Sequence, residues 1–78
     1  MNRKNITGMI AVFDNAVLNA RLDYAIDLKT NKVMYYITCN WKLRNVCGKC
    51  PFRNYKDAKV YFSGLPNAAE LEAKANAA

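Results

Sequence analysis

The stretch Arg21–Trp41, RLDYAIDLKTNKVMYYITCNW, decides the fold. Its first part alternates strictly. Leu22, Tyr24, Ile26 and Leu28 fall on one side, and Arg21, Asp23, Ala25 and Asp27 on the other. A period of two with one apolar side is the mark of a strand that buries one face. Lys29-Thr30-Asn31-Lys32 then reads as a turn, because asparagine tolerates the left-handed backbone that tight hairpins require. The run from Val33 to about Trp41 is β-branched and aromatic, which predicts another strand. Val33, Tyr35, Ile37, Cys39 and Trp41 share one face of it, and Met34, Tyr36, Thr38, Asn40 and Lys42 the other.

Toward the N-terminus, Ile6 to Phe13 reads as a strand that precedes these two, with Asp14-Asn15 as the turn between. Met9, Ala11 and Phe13 are expected on one face, Ile10 and Val12 on the other. Met1 to Asn5 is polar and is read as a loose start. Toward the C-terminus, Lys42 to Arg53 reads as a connection containing Gly48 and Pro51, with room for a further short strand. At about a dozen residues it is longer than an ordinary hairpin loop.

Asn54 is suited to cap a helix, with Asp57 in the first turn, where a carboxylate meets the positive end of the dipole. Tyr55, Ala58, Phe62 and Leu65 recur at helical spacing. Gly64 and Pro66 predict a stop there. Asn67 and Glu70 fit the start of a second helix, alanine-rich and frayed over residues 67–78. The expected fold is α+β in one domain: a three-stranded antiparallel β-meander packed against one α-helix, with a C-terminal helical extension (β-β-β-α-α). Its expected core is Phe13, Leu22, Tyr24, Ile26, Val33, Tyr35, Ile37, Ala58, Phe62 and Leu65.

The chain has 78 residues, is 53% hydrophobic and carries a net charge of +6. That is one small domain with enough apolar content for a core. No apolar run approaches the ~20 residues of a membrane span, and the N-terminal apolar stretch is too short for a signal peptide. With an odd cysteine count, the expectation is a soluble cytoplasmic protein. There is no histidine and only one serine, Ser63. The commonest general base and metal ligand is thus missing, and the expectation is a protein that binds rather than catalyses.

Three constellations bear on binding. Cys39–Tyr61 holds Lys42, Arg44, Lys49, Arg53, Lys56 and Lys59 against one acid, Asp57, and so five of the six net charges. Trp41 and Tyr55 lie among them. Cations that neutralise phosphates, interleaved with aromatics that stack on bases, form the footprint of a nucleic-acid or nucleoprotein surface. The plain alternative is a solvated face that confers solubility.

The second constellation is Met34, Tyr36 and Thr38, on the strand face opposite the expected core. These suit a protein partner, with pairing of an edge strand into a homodimer as a further option. An ordinary exposed strand is the alternative. Third, Cys47-Gly48-Lys49-Cys50 with Cys39 offers three sulfurs. They read as reduced thiols, as a zinc site lacking a fourth ligand, or as a redox pair. A zinc-dependent activity would need that metal with an open position.

In outline, a three-stranded sheet backed by a helix resembles the arm-type and AP2-like DNA-binding domains of phage and transposon integrases. Ile10-Ala11-Val12-Phe13-Asp14-Asn15, Ala20-Arg21 and Gly64-Leu65-Pro66 also resemble parts of a small phage inhibitor of the type I-F CRISPR surveillance complex. Those matches are scattered, and Cys39 to Arg53 has no counterpart among them. That resemblance implies an antiparallel sheet with helices and action by binding, and an accessory role in a phage or other mobile element. It transfers no functional residue.

Overall fold

The computed structural model describes residues 5–77. Four strands precede one helix: β1 (Asn5–Asp14), β2 (Leu18–Asp27), β3 (Lys32–Trp41), β4 (Val46–Phe52) and α1 (Tyr55–Ala77). The strands form one antiparallel sheet in the order β1-β2-β3-β4. The expected α+β meander stands, with one strand more and one helix fewer. The expectation of a loose start falls on residues 1–4, outside the described residues, except for Asn5, which opens β1.

Each hairpin is closed by asparagine chemistry. Asn15 Oδ1 accepts hydrogen bonds from the amides of Val17 and Leu18, both at 2.8 Å, and fixes the β1–β2 turn. Asn31, at φ 59°, ends the β2–β3 turn, and its amide donates to the Asp27 carbonyl at 2.7 Å. Asn45, at φ 55°, ends the β3–β4 turn. The expected long connection is therefore a tight turn followed by β4. Pro51 fits there because β4 is an outer strand, where a missing N–H costs no ladder bond.

Register fixes the two faces. Leu18, Ala20, Leu22, Tyr24 and Ile26 pair with Trp41, Cys39, Ile37, Tyr35 and Val33. Trp41, Cys39, Ile37 and Tyr35 pair in turn with Val46, Gly48, Cys50 and Phe52. This is the face that α1 covers. In β1 the register slips between Met9 and Ala11. Ile10 is the extra residue of a bulge, and a bulge reverses the parity of what precedes it. Met9 therefore joins the open face opposite Asp23, while Ala11 and Phe13 stay on the helix side opposite Leu22 and Ala20.

The helix runs through Gly64 and Pro66 instead of stopping. Pro66 has no N–H for the Phe62 carbonyl and disfavours helical backbone at Leu65. Packing overrides both: Leu65 and Ala69, on either side of it, are buried. Asn67 and Glu70 lie inside the helix, so they start nothing. Asn54 does cap it, its Oδ1 accepting the Asp57 amide at 2.8 Å while its Nδ2 donates to Asp57 Oδ2 at 3.0 Å.

The sealed core is Val17, Leu18, Ala20, Leu22, Ile37, Cys39, Ala58, Leu65 and Ala69. Phe13, Tyr35, Trp41, Phe52 and Phe62 pack around it, partly buried. Tyr24, Ile26 and Val33 were expected inside and are not among the buried residues. Tyr55, where α1 begins, rests on Tyr35, so the rows toward the β2–β3 turn extend beyond the helix. On that overhang the Tyr24 ring lies against the β1 backbone, where a Cβ at Gly8 would come within 2.6 Å of it. The molecule measures 51 × 26 × 15 Å, long and two layers thick.

Pro66→Ala restores a helical hydrogen bond without disturbing Leu65. We expect it to raise stability in urea denaturation by about 1–2 kcal/mol. A fall in stability would mean that the proline ring itself packs.

Candidate binding surfaces

The six basic residues singled out in the sequence divide into two groups. Lys42 and Arg44 brace the fold. Lys42 Nζ reaches Asp14 Oδ1 at 2.9 Å and the Asn15 carbonyl at 2.6 Å, tying the β3–β4 turn to the β1–β2 turn. This hydrogen bond, then that from Asn19, holds the Asp14 carboxyl below its ordinary range. Arg44 Nε lies 3.0 Å from Glu72 Oε1, and its guanidinium sits 4.9 Å from the centre of the Trp41 ring. It fastens the same turn to the distal half of α1. Trp41 belongs to the packed periphery of the core, beneath Arg44.

The other four are free. Among the described residues, no carboxylate pairs with Lys49, Arg53, Lys56 or Lys59. They run along β4 and the first turns of α1. Lys49 Nζ lies 4.7 Å from the centre of the Tyr36 ring, and Lys59 Nζ 5.8 Å from that of Tyr55. Tyr55 packs on Tyr35 at 5.5 Å and Tyr61 on Phe52 at 5.4 Å. Two aromatic pairs thus fix the start of the helix to β3 and β4. Lys32 and Arg53 line the same concavity, with Val33 and Met34. Neither Lys32 nor the aromatic clasp was singled out in the sequence. The pairing of Tyr35 with Phe52, which builds the clasp, depends on β4 being a strand.

The open face of the sheet has a different character. Met34, Tyr36 and Thr38 lie on it, half-buried, opposite Ala25, Asp23 and Arg21. Met9 and Val12 join them, 61% and 51% exposed. On this face Arg21 Nε is paired with Asp23 at 2.9 Å and Asp27 stands opposite Lys32, whereas Lys49 stands opposite Thr38. The charge available to a polyanion lies along one margin of this face rather than across it. β3 is interior to the sheet, so the edges open to the pairing considered from the sequence are those of β1 and β4.

The cysteines do not converge. Cys47 and Cys50 are three apart on a strand, and odd spacing on a strand sends side chains to opposite faces. Cys50 pairs with Ile37 on the helix side, Cys47 with Asn40 on the open side. Among the described residues no group of three or more metal-ligating side chains assembles. A zinc knuckle needs a turn at the CxxC, and β4 is extended there. All three thiols are free. Burial first, then the neighbouring Cys50 and Cys47, pushes the Cys39 thiol up. Burial, followed by Cys50 and Cys39, likewise raises the Tyr61 phenol.

Compared with family models, with curated proteins and with solved structures, the chain matches none. No described helix is long and apolar enough to cross a membrane.

Thiol labelling near neutral pH should modify exposed Cys47 first, Cys50 next and Cys39 only on unfolding, as read by peptide mass. Because the Cys39 thiol is raised in the fold, its contribution to stability is complete below the ordinary thiol range. It is lost as pH rises through that range toward the higher folded value. Labelling of Cys39 at the rate of Cys47 would contradict the burial described.

Proposed function

We propose that this chain is a small non-enzymatic binding protein whose margin of Lys49, Arg53, Lys56 and Lys59 contacts the phosphates of a nucleic acid or nucleoprotein. What carries the reading is the set of free cations: four on adjacent elements without an ion-pair partner among the described residues, with Lys32 close by. Surface cations held by carboxylates have less to offer a phosphate, which leaves Lys42 and Arg44 outside the proposed margin. Tyr36 and Tyr55 lie under two of the free ammonium groups, where a base can stack in their place. The absence of histidine and the single serine favour binding over catalysis. The resemblance to phage inhibitors supports a role as an accessory of a phage or other mobile element.

A second reading has its own support. Met9 and Val12 stand exposed on a sheet face that no layer covers, beside Met34, Tyr36 and Thr38. Such a surface suits a protein target, in the manner of an inhibitor that works by binding.

Charge reversal separates the two. Arg53→Glu with Lys56→Glu should abolish binding to a labelled duplex or single strand at low salt. In the unaltered protein affinity should fall steeply with salt, and neutralising any one phosphate-binding cation should reduce the log–log slope by about 1. Salt-independent retention, or none, would overturn the nucleic-acid reading. A partner that survives charge reversal and no longer binds after Tyr36→Ala would establish the second.

A further inference from the structure

The two outer strands of the sheet differ in a way that the binding margin does not explain. An outer strand exposes a row of unpaired peptide groups, and proteins normally guard it with lysine, proline, short length or bulges. β4 is guarded: it has seven residues and carries Lys49 and Pro51. β1 has ten residues, no proline and no charge before Asp14. Its single device is the bulge at Ile10. Ile6, Met9, Ile10 and Val12 are 43%, 61%, 38% and 51% exposed, so the strand offers apolar side chains on both faces as well as its edge. α1 packs chiefly on β2, β3 and β4.

Charge identifies the occupant. The chain carries +6, and among the described residues its free cations lie on the β2–β3 turn (Lys29), at the start of β3 (Lys32), on β4, in the link that follows it and on α1. Two copies approaching through any of these elements bring like charges together. β1 has no cation, and its one acid is already held by Lys42. Among the described residues it is the long surface element on which two copies can meet without setting cation against cation, and a second β1 supplies the missing strand. The geometry points to a homodimer in which β1 of one copy pairs antiparallel with β1 of the other across a twofold axis, joining two four-stranded sheets into one. Both basic margins then lie at the outer ends, free to bind, so this inference stands independently of the ligand proposed above.

Sedimentation velocity over a range of concentrations tests it. The mass should rise from the 8.8 kDa of one chain toward twice that value. Met9→Lys with Val12→Lys, both on exposed positions, should return it to one chain with an unchanged circular dichroism spectrum. A single-chain mass up to about 1 mM, or a dimer that survives the double substitution, overturns the inference. Should the variant fail to fold, hydrogen exchange of the unaltered protein decides. β1 amides should gain protection with concentration while β4 amides do not, and equal behaviour of the two strands overturns it.

Discussion

Leu18, Leu22 and Ile37 are the large side chains that the fold seals completely, and the molecule is arranged around getting one helix down onto them. The helix presents Ala58, Leu65 and Ala69 at intervals of seven and four, with Phe62 and Ala73 completing the stripe. Two of the three buried positions are alanine, and the sheet answers with Ala20 and Cys39. Small residues on both layers let the backbones approach closely, so a narrow core can be dry without many large side chains. The same packing keeps α1 continuous across Pro66, because leaving the helix there would withdraw Leu65 and Ala69 from the core. It also leaves the overhang and the outer edge of β1 uncovered, since one helix cannot roof four strands of this length.

The basic residues share a sign but not a task. Lys42 and Arg44 sit in a turn that must be joined to two other parts of the chain, and each finds an acid across the fold, Asp14 and Glu72. Exposed ion pairs add little stability on their own. Their effect here is positional, fixing the β3–β4 turn against the β1–β2 turn and the distal helix. Lys49, Arg53, Lys56 and Lys59 have no such acid: Asp57 is engaged by the Asn54 cap, and Asp23, which lines a hollow with Lys49, is held by Arg21. The acids were placed where the fold needs bracing, and the remaining positive charge collects along one margin.

Much of the fold was legible where local and tertiary preferences agree. The alternation of Leu22 to Leu28 and Val33 to Trp41 gave two strands, and Asn15, Asn31 and Asn54 gave two turns and a helix start. β4 was obscured because Gly48 and Pro51 are turn residues in most contexts. The cue was Asn45, which follows Trp41 at the interval at which Asn31 follows Asp27. The stop at Gly64 and Pro66 was a sound local inference that core packing outweighed. The bulge at Ile10 left no mark in the pattern, since its neighbours are apolar on both sides. Of the binding residues, the sequence showed the charges but not which of them the fold would use for itself. That division depends on Asp14 and Glu72, which lie far from Lys42 and Arg44 along the chain.

The β1-β2-β3-β4 order has a kinetic meaning. Every strand neighbour in space is a neighbour in sequence, joined by loops of three or four residues. Closing such loops costs little chain entropy, and each hairpin offers a template for the next strand. The sheet can zip from any of its three turns without waiting for a distant segment. What cannot be local is the seating of the helix, which must reach back past β4 to cover β2 and β3. That seating makes the longest-range contacts of the fold and so the largest demand on chain entropy.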